Sequence, residues 1–398
     1  MRKMIKFWRI GAVSMGILLA CLSCHKDGGS ADTGQPDPVD TSDQTPPPTE
    51  PKALNYIFKA GTEGYSCFRI PAIVQTKTGT LLAFAEARKF GCGDEGDIDL
   101  VLKRSLDSGK TWSKLIMVWD DGGNTCGNPA PVVDQQSGKV YLLMSWNLGQ
   151  DAIGEINNGT SEDTRRVFVT ASTDDGLHWE SPKEITADTK LKNWGWYATG
   201  PCHGIQLQEG THAGRMIIPC DYIEKYTKKG GSHVIYSDDH GASWQLGGQV
   251  ADAGGNESTV AVLSNGDLLL NMRNSSGFRK TARSTDGGLT WAAAEADPDL
   301  PDPTCQGSIL SYPGQDDFLV FFANAASSTE RVNMTVKLST DDGGSWRRSY
   351  QVHEGPSAYS DLVMIAGDRV GIVYEGGKSS AYEGIVFEDI AISKIQSF

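Results

Sequence analysis

Beyond its first thirty residues this 398-residue chain has no stretch of sustained helical periodicity, which argues against a helical bundle and for a fold built almost wholly of strands. It is also short of positive charge. Thirty-six Lys and Arg stand against 50 Asp and Glu, a formal net charge of −14, which excludes nucleic acid as a partner and broad capture of anionic polymers. An anionic substrate would need a local basic site within an acidic protein. The seven histidines form no triad or metal pattern. None of the cysteines after residue 30 (Cys67, Cys92, Cys126, Cys202, Cys220, Cys305) stands in a CxxC or Cys/His spacing. No metal and no cofactor is implied.

Long apolar runs are missing too, with one exception from Ile10 to Leu22 behind Arg2, Lys3, Lys6 and Arg9. Its length and position suit an export signal over residues 1–24 and not a spanning helix. Its end, Cys21-Leu22-Ser23-Cys24, resembles a bacterial lipoprotein processing site, with Cys24 as the lipidated residue and plain secretion as the alternative. The expected location is therefore the periplasm, the outer membrane or the medium, with any membrane contact made through that lipid. Residues 25–53 hold Pro36, Pro38, Pro46, Pro47, Pro48 and Pro51 among Asp, Ser, Thr and Gly, the composition of a disordered tether. In an oxidising compartment Cys92 and Cys126 are the candidate disulfide, with free buried thiols as the other reading.

What the chain has is a repeat. SLDSGKTW (Ser105–Trp112), STDDGLHW (Ser172–Trp179), SDDHGASW (Ser237–Trp244), STDGGLTW (Ser284–Trp291) and STDDGGSW (Ser339–Trp346) share one pattern. Each has the chemistry of a turn: Asp accepts bonds from loop amides, Gly supplies a positive φ, and Trp packs on a sheet. The Ser positions lie 67, 65, 47 and 55 residues apart, a blade-like spacing. Short apolar runs bounded by turn residues, such as Leu81–Ala85 and Phe318–Phe322, fill the intervals. The prediction is an all-β, six-bladed β-propeller over residues 54–398, at roughly 57 residues per blade. The sixth blade lacks the repeat and is shared between the chain ends.

Tyr65-Ser-Cys-Phe68-Arg69-Ile70-Pro71, followed downstream by these aspartate turns, resembles the exo-α-sialidases of bacteria and animals over essentially the whole domain. The resemblance implies a clamp of three arginines for the substrate's carboxylate: Arg69, Arg273 in Leu270-Asn-Met-Arg273, and Arg331 in Glu330-Arg-Val-Asn, with Arg347 and Arg348 close behind. A guanidinium suits that task because its parallel N–H donors match a carboxylate and it stays charged. The resemblance makes Tyr359 the nucleophile and Glu257 the residue that activates it. A neutral phenol avoids the repulsion that a carboxylate nucleophile would meet, but it needs a base to remove its proton. The acid/base residue is Asp94, in the loop after Arg88, with Asp97 as the alternative. Arg88 matches a contact to the sugar's 4-hydroxyl, and Glu375 a carboxylate that holds the first arginine. Trp194, Trp196 and Tyr197 suit either a sugar pocket or core packing.

The implied activity is release of terminal sialic acid from glycoproteins, glycolipids or oligosaccharides with retention of configuration, by a protein expected to be a monomer. Two alternatives stand beside it. The same residues would serve a trans-sialidase, intermolecular or intramolecular, and a glycan-binding propeller without catalysis would keep the aspartate turns but has no need of Tyr359.

Overall fold

A computed structural model describes residues 53–397, apart from 252, 253, 315, 316 and 366. The export signal, the lipidation site and most of the tether lie outside the described residues.

Strand pairing divides the described residues into six four-stranded antiparallel groups. The first runs Cys67–Gln75, Leu81–Arg88, Ile98–Ser105 and Ile116–Trp119. The second runs Thr125–Val133, Val140–Asn147, Arg166–Ser172 and Lys183–Glu184. The third is built from Trp194–Thr199, Met216–Glu224, Gly230–Ser237 and Gln245–Gln249, and the fourth from Ser258–Val262, Leu268–Met272, Phe278–Ser284 and Glu295–Pro301. Ser308–Pro313, Phe318–Ala325 and Val332–Ser339 begin the fifth, and the first half of the long strand Arg348–Ile365 completes it. The second half of that strand opens the sixth, with Arg369–Gly376, Gly384–Ala391 and, from the other end of the domain, Tyr56–Lys59. The sixth blade is thus shared between chain ends, as the missing repeat predicts.

First strands of successive blades pack side by side except between the third and fourth, where Ser258–Val262 packs on Met216–Glu224, and the strand carrying Tyr359 packs on Cys67–Gln75 to close the ring. Position in the ring explains residue choice. Cys67–Gln75 is buried at eight of nine positions and Leu81–Arg88 throughout, so both are mostly apolar, interrupted by Arg69 in one and by Glu86 and Arg88 in the other, whereas Gln245–Gln249 has no buried residue.

The five repeats form the turns between third and fourth strands. In each, the serine hydroxyl bonds the aspartate and accepts the glycine amide, as at Ser105–Asp107 (2.8 Å) and Gly109–Ser105 (2.8 Å). The tryptophan packs on the preceding blade: Trp112 on Phe387 of the sixth, Trp179 on Phe84 of the first, Trp244 on Tyr141 of the second. Glycine is required at 109, where φ is +86° and a Cβ would lie 2.0 Å from Phe387 Cε1. These turns fasten each blade to its neighbour as well as closing their own hairpin.

Asp361 ties the blades across the axis. Fully buried, it accepts Ile73 N–H (2.9 Å), His203 N–H (3.0 Å), the Ser308 hydroxyl (2.7 Å) and its neighbour Leu362 N–H (3.0 Å), and pairs with His203 Nδ1 (2.7 Å). An open cavity of about 1310 Å³, walled by Ile73, Val132, Val260, Ile309 and Leu362, lies on the side of the repeats.

One expectation is corrected here. Cys92 pairs with Cys67, not with Cys126. Cys126 lies on the second blade's first strand and points into apolar core with Phe84, Leu100 and Met144, while strand pairing sets Cys67 opposite Arg88, at the base of the loop that carries Cys92.

Candidate active site

In the first blade, Cys67 pairs with Arg88 at one end of the sheet and Leu81 with Ser105 at the other. First-strand beginnings and second-strand ends therefore share one face, and the repeats lie on the opposite one. Arg69, Glu257 and Tyr359 stand at or just before strand beginnings, and Arg88, Arg273 and Glu375 at strand ends. The ring brings all of them to the same mouth.

Local irregularity aims them. Strand pairing slips between Arg69 and Ala72, with Ile70 at φ 57° and Pro71 lacking an N–H for the ladder. It slips again between Ser357 and Ser360, around Tyr359. A bulge rotates a side chain out of the regular alternation, here toward the axis. The left-handed Ile70 backbone is held by its N–H bond to Glu375 Oε1 (2.9 Å).

The Tyr359 hydroxyl donates to Glu257 Oε1 at 2.6 Å and accepts from Arg273 Nη1 at 2.9 Å, while that guanidinium also pairs with Glu257 Oε2 at 2.6 Å. Burial and then the Glu257 charge push the phenol well above its ordinary pKa, against a partial counter-effect from Arg273 and Arg69. The phenol is neutral, with its proton already directed at a carboxylate.

Arg69 is clamped by Glu375, Nε to Oε1 at 3.0 Å and Nη2 to Oε2 at 3.2 Å. Its guanidinium lies between the rings of Tyr359 (5.1 Å to the centroid) and Tyr382 (4.5 Å), leaving Nη1 to reach Asp94 at 3.2 Å. Burial alone would lower its pKa, but Glu375, Tyr359 and Tyr382 together outweigh it and hold the cation firmly charged. Arg331 donates to the Tyr382 hydroxyl (3.0 Å) and to Thr304 O (3.2 Å), and its guanidinium stands 5.7 Å from the Tyr359 ring centroid. Arg347 and Arg348 are exposed, and Arg348 bonds Gln396 O. The three arginines named from the sequence all lie around Tyr359.

Asp94 is exposed on its loop and bonds Arg88 Nη1 at 2.8 Å. Although the side chain is open to solvent, partial loss of water around its carboxyl raises its pKa, yet Arg88 and Arg69 together overcome this and hold the carboxyl below its ordinary value. The alternative, Asp97, lies at the loop's neck with its carboxylate 3.9 Å from Lys89 Nζ.

The aromatic trio divides. Trp194 and Tyr197 are core, Trp194 stacking on Tyr222 at 3.8 Å, while Trp196 is partly exposed with the Arg165 guanidinium 3.8 Å from its ring centroid. Arg165 was not singled out from the sequence. Buried, with its pKa lowered by that burial to about 10, it donates to Asn147 Oδ1 (2.6 Å) and to Asn128. It immediately precedes a third strand, as Arg331 does, and that shared position was a usable signal. Tyr382 was missed as well. It lies in the short 3-10 turn Ala381–Glu383, outside every repeat, and nothing in the sequence marked it.

A BNR repeat-like domain matches residues 79–373. The sialidase of Micromonospora viridifaciens is 35% identical over 345 residues, 81% of this chain, which spans only 52% of that relative. The exo-alpha-sialidase of Aspergillus fumigatus is 33% identical over 367 residues, covering 83% of this chain and 86% of the relative. Among solved structures, the Hadza microbial sialidase Hz136 superposes with a TM-score of 0.78 at 29% identity, over 85% of this chain and 68% of that one. An axial mouth with three arginines around a tyrosine–glutamate pair, on a ring stapled by five aspartate turns, accompanies these matches, and the chain belongs to the sialidase family of BNR-repeat proteins.

Proposed function

We propose that this protein is an exo-α-sialidase that hydrolyses terminal sialic acid from glycoconjugates with retention of configuration, through a covalent tyrosyl intermediate. The observation that carries the reading is the contact of the Tyr359 hydroxyl with Glu257, 2.6 Å, inside a ring of cationic side chains.

The substrate's carboxylate enters between Arg69, Arg273 and Arg331, where Arg69 exchanges its exposed Asp94 contact for the ligand. Glu375 keeps Arg69 in plane, so the clamp is set before binding and little is spent on reorganisation. Tyr359 attacks the anomeric carbon as Glu257 takes its proton. Arg273, already bonded to the phenolic oxygen, offsets the negative charge that develops there. Asp94 gives its proton to the departing oxygen, and in the second step takes one from the water that frees the sugar. Loss of its bond to Arg69 removes a charge that favours the carboxylate, so substrate binding raises the Asp94 pKa toward what an acid needs. Trp196, backed by Arg165, gives one wall a flat face.

The test is release of 4-methylumbelliferone from its N-acetylneuraminic acid ketoside by the domain from Ala53 onward, with Tyr359→Phe in parallel. Release by the wild type with a loss of a hundredfold or more in the variant supports the reading; equal activity in both overturns it. Product NMR separates hydrolysis from transfer to a second sugar or to the substrate's own hydroxyl, which would use the same residues. The Cys67–Cys92 disulfide favours an oxidising compartment and supports export.

A further inference from the structure

We propose that the Cys67–Cys92 disulfide is a positioning element for Asp94: it fixes the loop of the proton donor to the strand of the carboxylate clamp, and general-acid assistance depends on it. The proposal rests on the sialidase reading and concerns residues to which that reading gives no task.

The loop leaves the second strand at Arg88 and closes where Lys89 N–H donates to Asp97 O at 3.1 Å. Between these points it has little to order it. Phe90 is 86% exposed, and a Cβ placed on Gly91, Gly93 or Gly96 would meet nothing within 4 Å. A segment without packed apolar contacts sits at the low-stability end of a fold unless something else holds it.

Two kinds of tie are present. One is polar: Arg88 Nη1 reaches Cys92 O (2.6 Å), Gly93 O (2.8 Å) and Asp94 Oδ1 (2.8 Å), and Arg69 reaches Asp94 at 3.2 Å. The Asp94 bonds weaken during turnover, because the ligand carboxylate takes Arg69 and a protonated Asp94 no longer attracts either guanidinium. The other tie does not change with charge. Cys67 stands two residues before Arg69 and opposite Arg88, and Cys92 stands two residues before Asp94, with the two Cα atoms 5.4 Å apart. With the Arg88 bonds to Cys92 O and Gly93 O, which do not depend on the Asp94 charge, the disulfide keeps the carboxyl near the clamp at the step in which its ion pairs are lost.

The test compares leaving groups. The double variant Cys67→Ser/Cys92→Ser, which leaves no lone thiol, is assayed for kcat/KM on 3′-sialyllactose and on the 4-methylumbelliferyl ketoside. A sugar hydroxyl leaves only if protonated, whereas an aryloxide leaves largely unaided. Losing part of the ~10²–10⁴-fold that general acid catalysis contributes lowers the sialyllactose value by about tenfold to a hundredfold, and the aryl value by less than about threefold. Unchanged affinity for 2-deoxy-2,3-dehydro-N-acetylneuraminic acid shows that clamp and fold persist. An equal loss on both substrates, or none on either, overturns the proposal. A wild type inactive on both overturns the sialidase reading and this inference with it. Should the double variant fail to fold, the folded wild type reduced by tris(2-carboxyethyl)phosphine carries the same comparison. The phosphine gives two electrons to the disulfide and takes its oxide oxygen from water, whose two protons complete the two thiols.

Discussion

Glu375→Gln isolates the orientation of the clamp from its charge. Glu375 is fully buried, and its two oxygens accept four bonds: Oε1 from Arg69 Nε and Ile70 N–H, Oε2 from Arg69 Nη2 and Tyr359 N–H at 3.3 Å. Glutamine keeps the shape and one acceptor oxygen, but turns an NH2 toward two donors and leaves a buried guanidinium without its counter-charge. Two charge-assisted bonds at about 1.5–3 kcal/mol each, partly retained, put the loss near 3 kcal/mol, roughly a hundredfold in kcat/KM. On the proposed mechanism the clamp grips the substrate before and during reaction, so the loss falls mainly on KM and on affinity for the dehydro analogue, with kcat changed by less than about tenfold. About 345 ordered residues have an unfolding entropy near 0.7 kcal/mol per kelvin, so the same 3 kcal/mol lowers the melting temperature by roughly 4 °C. Steady-state kinetics, calorimetric titration with the analogue and a thermal melt measure all three. A folded variant with wild-type KM and analogue affinity refutes the reasoning, because Arg69 would then hold its orientation without the carboxylate.

Asp361→Ala strands donors from three blades in a dry core and should cost about 3–5 kcal/mol in a urea titration without altering the arginine contacts; a cost below about 1 kcal/mol would show the axial ties to be redundant. His203 gives that hub a pH dependence: burial lowers its pKa, the charge and hydrogen bond of Asp361 together outweigh this, and the net shift is upward. Its contribution to stability is therefore fully present below the unfolded value near 6.5 and is lost as pH rises through the raised folded value, a trend that His203→Gln should abolish in melts from pH 6 upward. For Asp94 the order of kinetic pKa values is the test. Arg88 and Arg69 hold its carboxyl low in the free protein, so the alkaline limb of kcat/KM should lie at lower pH than that of kcat, and coincident limbs would mean that Asp94 keeps its Arg69 contact in the complex. Gly109→Ala combines φ +86° with a Cβ 2.0 Å from Phe387 and should destabilise by about 2 kcal/mol or more in the same titration.

How much of the site the sequence shows depends on how far apart its bonds lie along the chain. An aspartate turn closes within eight residues, so its pattern is complete in the string. The hairpins are nearly as readable: Glu257 and Arg273 stand sixteen residues apart, as do Tyr359 and Glu375, the reach from the beginning of a first strand to the end of a second. Each pair falls on one blade, and strand pairing sets its members side by side, as Arg273 N–H to Glu257 O at 2.9 Å shows. Contacts made by ring closure leave no such trace. Arg69 meets Glu375 across 306 residues and Tyr359 meets Glu257 across 102, and only resemblance to known sialidases could nominate those partners. Tyr382, Arg165 and the Cys67–Cys92 bridge show the limit. Tyr382 acts through a ring face turned to Arg69, and Arg165 through a stack on Trp196, geometries that impose no spacing on the sequence. The Cys92–Cys126 expectation failed for the same reason: in a propeller a cysteine's nearest partner is set by pairing within its own blade, where Cys67 lies opposite Arg88, while Cys126 belongs to the next blade and faces core. Sequence reading therefore reaches neighbours set by strand pairing, and it misses both a loop folded back on its own blade, as at Cys67–Cys92, and the contacts made between blades.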